Sequence, residues 1–382
     1  MSTRTFIKSI HLILFFALLS CGDGPTNKDG QTAAEQGAES SKESADAPSV
    51  AVLKSDLQES SNATKISISD GNGGLIKAQE KGWASFNLNV PEAGRYKVVV
   101  KVNNPGDEQR ALWLEDYIDN EDQRSYNVTG NMLAKGQGEH MLSKDGSPLA
   151  KGLHPMRIHF DGPVEVKSIE IELLKAQVLT PNNYVQSYEG DEWEVVWADE
   201  FEGEVLDTTK WTYDLGDWGW GNNELQYYTV DRKENTRLED GNLVIEARME
   251  EDGSWTSGRI TTREKASFTY GKIEFRAKVP PLRGNWAAGW TLGDAYVDEK
   301  SWPYCGEIDI MESVGYEMDD ETGDGVAHAS VHTRAYYFKL DNHKTAIRDV
   351  SNMNNEYHTY GTYLKMVNWP FIYNKFKDLW VH

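Results

Sequence analysis

Runs in which apolar residues alternate strictly with polar ones constrain this chain more than any other feature. Phe86-x-Leu88-x-Val90 is followed, across a Pro91-Glu92-Ala93-Gly94 turn, by Tyr96-x-Val98-x-Val100-x-Val102. Met156-x-Ile158-x-Phe160 is divided from Val164-x-Val166 by Asp161-Gly162-Pro163. Successive side chains of a strand point to opposite faces, so each run buries one face and leaves the other in water. No long helical period interrupts them, and Gly, Pro and Asn bound them. The pattern therefore predicts an all-β protein of antiparallel strands. Residues 51–178 read as a β-sandwich. After the break at Thr180-Pro181-Asn182-Asn183, residues 188–361 read as a second all-β unit, with candidate strands at 194–197, 243–249, 271–278, 306–311 and 328–332.

The first 50 residues obey different rules. Arg4 and Lys8 precede an apolar run from Ile10 to Leu19, too short to span a bilayer as a helix, so residues 1–20 read as a secretion signal that stands outside the fold. Leu18-Leu19-Ser20-Cys21 resembles the lipobox of bacterial lipoproteins, which implies acyl chains on Cys21 and a membrane attachment without a spanning segment. The expected location is the cell envelope, as an outer-membrane or surface lipoprotein of a bacterium. Residues 21–50 are rich in Gly, Ser, Ala, Glu and Asp and contain no aromatic residue, a tether composition. Cys305 is then the only other cysteine, so no disulfide is available to the mature fold.

Charge and motif content narrow the function. Across 382 residues, 39 Lys and Arg face 61 Asp and Glu, a net charge of −22. A chain of that sign repels phosphate backbones, which excludes a nucleic-acid reader. There is no glycine loop for a phosphate or dinucleotide and no Cys/His spacing for zinc, so neither cofactor nor catalytic metal is expected; a structural calcium ion is left open. The acidic run Glu115-Asp116-x-x-Asp119-Asn120-Glu121-Asp122 lacks the glycine and spacing of an EF-hand loop. Nine of the 13 tryptophans lie between Trp193 and Trp302. That density suits stacking on flat apolar faces, such as those of sugar rings, and the expected partner is a polysaccharide bound by a monomer.

The strongest chemical signal is Gly306-Glu307-Ile308-Asp309-Ile310-Met311-Glu312. In a strand Glu307 and Asp309 share one face, while Ile308 and Ile310 take the other. Glu312 has the wrong parity, which a one-residue bulge at Met311 restores. Three carboxylates on one face repel one another, and burial raises at least one of their pKa values. Glycoside cleavage uses such a set: one carboxylate attacks the anomeric carbon and another, kept protonated, donates to the leaving oxygen. A solvated acidic edge is the plain alternative. Against it stand the apolar alternation, the flanking Trp302 and the absence of Lys or Arg from Ser301 to Asp320. Four ladder steps of about 3.3 Å separate the Glu307 and Glu312 backbones by roughly 13 Å. A retaining pair needs carboxyls about 5–5.5 Å apart, so spacing alone does not choose the stereochemistry.

The same segment resembles the signature of glycoside hydrolase family sixteen, Glu-[Ile/Leu]-Asp-x-x-Glu. Support comes from Trp197-Ala-Asp-Glu-Phe201, Trp220-Gly-Asn-Asn-Glu-Leu-Gln-Tyr-Tyr-Thr229, Asp240-Gly-Asn-Leu-Val-Ile245 and Gly284-Asn-Trp-Ala-Ala-Gly-Trp290, in the family's order over about 175 residues. Trp302-Pro-x-x-Gly306 and the inserted Met311 are similar to the endo-1,3-β-glucanases, or laminarinases, of that family. The resemblance implies a β-jelly roll with an open cleft and a retaining double displacement. It assigns Glu307 as nucleophile, Glu312 as general acid/base and Asp309 as the residue assisting Glu307. Trp302, Trp286 and Trp290 become candidates for stacking on glucose, with a core role equally open to the last two. Asn222 and Glu224 match positions near the cleft, and His328 and His332 share parity on the next strand. Cys305 is not a nucleophile, since nothing cationic lies near it in sequence.

In the first sandwich, Trp113-Leu-Glu-Asp-Tyr117 and Arg124-Ser-Tyr126-Asn-Val-Thr-Gly130 weakly resemble a family-six carbohydrate-binding module, which makes Trp83, Trp113, Tyr117 and Tyr126 candidates for a sugar platform, with a core role equally open to each. After Glu356-Tyr-His-Thr-Tyr-Gly361 the family pattern stops, and residues 362–382 read as an aberrant tail from a truncated or shifted frame, leaving a C-terminally incomplete jelly roll with unpaired edges. Two rival functions stay beside the β-1,3-glucanase. One is a family-sixteen hydrolase of another glycan, such as agar, carrageenan or mixed-linkage glucan. The other is a surface glycan-binding lipoprotein with impaired turnover. The anchor reading carries its own test: Cys21→Ser should shift the protein from the membrane fraction to the soluble one, and unchanged membrane association would refute it.

Overall fold

A computed structural model of the chain describes residues 10–18, 57–59, 65–68, 76–117, 125–185, 193–337, 341–364 and 380–381, with the backbone alone for 10–18, 57–59, 65–68 and 380–381. Cys21, the 21–50 segment, the Asp119–Asp122 run and 365–379 lie outside the described residues. Apart from two short 3-10 helices, Glu299–Ser301 and Gly315–Glu317, the regular structure among them is strand.

The first unit is two antiparallel sheets. One runs in the order Gly138–Leu149, Gly94–Asn104, Val164–Ala176, Lys65–Ile68, Leu57–Glu59; the other in the order Gly82–Val90, Gly152–Phe160, Arg110–Tyr117, Ser125–Asn127. The alternation read in the sequence is the alternation in space. From Gly94 to Asn104 buried and half-buried residues alternate without a break, and Val98, Val100, Val102, Leu112, Leu114, Met156, Ile158 and Phe160 close one core between the sheets.

The second unit is a jelly roll. Its larger sheet runs Asn182–Val185, Ala266–Thr269, Ile10–Leu18, Asn285–Gly293, Glu307–Val314, Gly325–His332, Lys344–Val350, and a smaller sheet runs Gly271–Ala277, His358–Leu364, Trp380–Val381. Ile310, Met311 and Ala327 of the first pack with Ile273, Phe275 and Tyr360 of the second. Two expectations need adjustment. Residues 194–197 form no strand; Trp197 packs edge-on against Trp211 and Phe268 while Val195 is 77 % exposed, so side-chain packing rather than a ladder places this stretch. The strand that opens at His358 runs through Leu364, three residues past the expected boundary at 361.

The larger departure is Ile10–Leu18. Set outside the fold by the sequence reading, it pairs in the structure with all of Asn285–Gly293 on one side and with Arg259–Thr261 and Phe268 on the other. An apolar nine-residue stretch without Gly or Pro meets the needs of a central strand as well as those of an export signal. The side of Asn285–Gly293 away from Glu307–Val314 is thereby paired. Each ladder bond contributes on the order of 1 kcal/mol, so a chain lacking residues 1–20 should unfold at lower denaturant concentration than the full chain. Coincident urea transitions for the two would show that this strand adds nothing.

Candidate active site

The Glu307–Val314 strand lies between Asn285–Gly293 and Gly325–His332, and both ladders slip in its middle. Trp290 pairs with Asp309 and Gly289 with Met311, which leaves Ile310 unopposed; on the other side Asp309 pairs with Ser330 and Glu312 with His328. The bulge expected at Met311 therefore spans Ile310 and Met311, with Ile310 the extra residue against the Trp290 side. Its cause is packing: both side chains are buried in the same core, at 1 % and 2 % exposure. Two successive residues on one face break the parity and bring Glu312 round to the face of Glu307 and Asp309.

These three carboxylates line one cavity of about 470 Å³ together with Trp286, Trp290, Trp302, Asn222 and His332. Trp302 Nε1 donates to Glu307 Oε2 at 3.1 Å. His332 Nε2 stands 3.2 Å from Asp309 Oδ2, and one ligand atom from each of Glu307, Asp309 and His332 lies within 4.8 Å of the others. Glu307 and Asp309 hydrogen-bond to each other, and Trp286 bonds Glu312. Burial pushes Glu307 well above the usual carboxylate range, and Asp309 adds to it while His332 opposes. Burial and then Glu312 raise Asp309 likewise. Burial raises Glu312, with His332 and His328 pulling it down. The set thus holds protons at a pH where free carboxylates have lost them, which a proton donor requires.

Other expected residues fall elsewhere. Glu224 is 5 % exposed and absent from the cavity wall. Its oxygens accept from Gln226 Nε2 and Tyr228 Oη, each at 2.8 Å, and from Asn222 Nδ2 at 3.3 Å, so it braces the wall from behind rather than meeting substrate. Burial lifts it to about 6. His328 faces Glu317, with Nε2 2.5 Å from Oε2, and acts on Glu312 only through space. Trp290, 8 % exposed, is both wall and core. Cys305 is buried, and its thiol is pushed up by burial and by Glu307, the opposite of a nucleophile's environment.

Residues that belong to no recognised motif complete the wall. Arg259 lies between Trp220 and Trp290, its guanidinium 4.4 and 5.0 Å from the two rings, and its Nε donates to buried Asp214 at 2.9 Å. Arg263 pairs with the other oxygen of Asp214. Glu299, bonded by Tyr296, is pushed to about 7 by burial. Asp214 and Arg259 are 45 residues apart, and no local pattern links them.

Of the proposed sugar platform, Trp83 and Tyr117 flank Arg157 at 4.1 and 3.7 Å, and Trp113 stacks on His159 at 5.0 Å. Tyr126 stands apart from them, on the cavity wall. Among the described residues one further cluster of ligand-type side chains exists, Asp116, His154 and Asp298. Lys300 Nζ lies 3.0 Å from Asp116 Oδ2 and 2.9 Å from His154 Nδ1, which supplies the cation this cluster calls for.

Part of the chain is similar to known proteins. The family model for Glycosyl hydrolases family 16 matches residues 223–370. A β-glucanase of Rhodothermus marinus is 47 % identical over 172 residues, 44 % of this chain and 58 % of that protein. Glucan endo-1,3-beta-glucosidase A1 of Niallia circulans is 40 % identical over 138 residues, 32 % of this chain and 20 % of that protein. The X-ray structure of the laminarinase from Rhodothermus marinus aligns with a TM-score of 0.42 and 45 % identity, over 46 % of this chain and 68 % of that one. The chain thus spans less than two thirds of the length of each of these two curated relatives.

The raised acids set a stability profile. Between pH 4.5 and about 7 Glu299 is ionised in the unfolded chain and protonated in the folded one, so the folded state binds more protons and stability falls as pH rises. Glu224 adds the same sign up to about 6. Glu115 and Glu250, held at about 2 by their partners, are ionised in both states above pH 5 and stay silent there. The melting temperature should be higher at pH 5 than at pH 8, and Glu299→Gln should shrink the difference. A melting temperature that climbs over this range contradicts protonated buried acids.

Proposed function

The chain carries a family 16 glycosyl hydrolase domain, and on that premise we propose that it is a retaining endo-hydrolase of β-1,3-glucan. The observation that carries the reading is the bulged strand that collects Glu307, Asp309 and Glu312 beside Trp302 and His332. Glu307, fixed by the Trp302 indole N–H, attacks the anomeric carbon while Glu312, protonated because it is buried, gives its proton to the departing glycosidic oxygen. Attack requires Glu307 as carboxylate. Its hydrogen-bonded neighbour Asp309 takes up the shared proton as the sugar's positive charge develops, and His332 offsets the remaining negative charge. Water activated by Glu312, now a base, then releases the glycosyl group with its original anomeric configuration. Trp286 and Trp302 offer flat faces at the cavity wall. The linkage preference draws on the relatives, a β-glucanase and an endo-1,3-β-glucosidase. Placement on a bacterial envelope through Cys21 is a separate proposal: lipidation follows cleavage before Cys21, so an anchored protein would lack the Ile10–Leu18 strand and its pairing with Asn285–Gly293.

Laminarin should be cut internally to oligosaccharides. Glu307→Gln should lower kcat by at least ~10³-fold, about 4 kcal/mol of barrier, while leaving laminarioligosaccharide binding in place. In Glu307→Ala, azide should restore turnover and yield the α-glycosyl azide, because one inversion replaces two. A β-azide product would overturn Glu307 as the nucleophile, because two inversions then require another residue to form the glycosyl-enzyme, and near-wild-type activity of Glu307→Gln would end the proposal.

A further inference from the structure

The cavity that holds the three carboxylates is built by both units. Arg95, Tyr126, Asn127 and Pro148 of the first sandwich line it beside the jelly-roll residues. Polar contacts fasten the two units together around this rim. Lys144 pairs with Asp217; Tyr227 Oη donates to Asp145 Oδ2 at 3.0 Å; Lys300 reaches buried Asp116; Ala150 N donates to Asp298 Oδ2 at 3.2 Å. Two glycines permit the close approach. A Cβ on Gly130, at φ +62, would stand 3.2 Å from the Trp218 carbonyl oxygen, and one on Gly216, at φ +113, 3.1 Å from Arg95 Nη2.

We propose that the first sandwich is the outer wall of the hydrolase cleft, where Arg95 contacts the glucan chain beyond the sugar held at the carboxylates. The inference rests on the β-glucanase reading of that site. Arg95 stands at the end of a stack that leads away from the chemistry: Asp309 pairs with Trp290, Arg259 lies 5.0 Å over Trp290 and 4.4 Å over Trp220, and the Arg95 guanidinium lies 5.7 Å over Trp220. Arg259 and Arg263 spend their charge on Asp214. Arg95 makes no such pair; its Nε and Nη2 are buried without a hydrogen-bond partner among the described residues, which leaves Nη1 as the guanidinium nitrogen a ligand in the cavity can reach. A guanidinium at a cavity wall with unmet N–H groups is a donor for sugar hydroxyl oxygens. On the other rim Tyr126 Oη donates to the Trp302 carbonyl at 3.2 Å, and the Trp302 indole holds Glu307, so the same sandwich is two contacts from the attacking oxygen. Its part is to lengthen the cleft and so to set how many glucose units are gripped. Arg95 is thereby a residue of chain-length specificity.

The test compares laminaritriose with laminariheptaose on the full chain carrying Arg95→Ala or Arg95→Lys. In Arg95→Ala, KM for the heptaose should rise about tenfold, ~1.4 kcal/mol, with KM for the triose within about twofold and kcat for both unchanged; Arg95→Lys should fall between. Equal shifts for both lengths would mean that Arg95 only supports the fold, and no shift would mean that the wall does not touch glycan; either overturns the inference. If wild type hydrolyses neither sugar, the hydrolase reading fails by itself. Calorimetric binding of the two oligosaccharides to wild type and Arg95→Ala then decides the wall: a length-dependent loss supports it, and its absence ends it.

Discussion

Three acids on one face of a strand and two adjacent apolar residues on the other are incompatible with strict alternation. Glu307-Ile-Asp-Ile-Met-Glu312 resolves the conflict by giving up one ladder position at Ile310. The energy for this comes from the core, because Ile310 and Met311 are both buried between the two sheets of the jelly roll, and each such side chain contributes roughly 1.5–3 kcal/mol by leaving water. The site's geometry is therefore a by-product of packing. The bulge is held from behind, by the residues that have no chemical role.

What the bulge assembles, burial then tunes. A carboxylate in a half-dry wall pays for desolvation by keeping its proton, and every acid lining this cavity deep enough to lose water moves upward, Glu299 to about 7 and the three central acids with it. Asp214 is the exception. It is buried with Arg259 and Arg263 against it, and their attraction holds it below its ordinary value. The cleft so contains two electrostatic regimes side by side: acids kept neutral by dryness and one kept ionised by cations. Chemistry needs the first, and the second fixes Arg259 between two tryptophans that form the wall.

The segment from Asp298 to Trp302 ties the parts together. Asp298 caps the 3-10 turn Glu299–Ser301 and accepts from the first sandwich at Ala150; Lys300 reaches back to Asp116; Trp302 turns the other way onto Glu307. Within five residues the chain joins the two units to Glu307. Movement between the sandwiches would be felt at Glu307 through backbone that is pinned on both sides.

Much of this was legible in order along the chain, because strands and bulges are local. Alternation from Phe86 to Val102 gave away the first sandwich, and the broken parity between Asp309 and Glu312 gave away the bulge to within one residue, since a side chain's face follows from its position in its own strand. Local reading failed where two local codes coincide or where a partner decides. Ile10–Leu18 has the composition of an export signal and of a central strand, and only the presence of Asn285–Gly293 alongside distinguishes them. Glu224 and Asn222 sit two residues apart in one motif, yet one is sealed behind the wall by Gln226 and Tyr228 while the other faces the cavity. Arg95, Asp214 and Arg259 carry no motif at all. Sequence determined which faces are apolar and which strand bears the acids, because those follow from neighbours in the chain. Tertiary structure alone decided which charges are dry, which are paired and which unit walls the cleft, because desolvation and ion pairing depend on atoms brought together from distant strands.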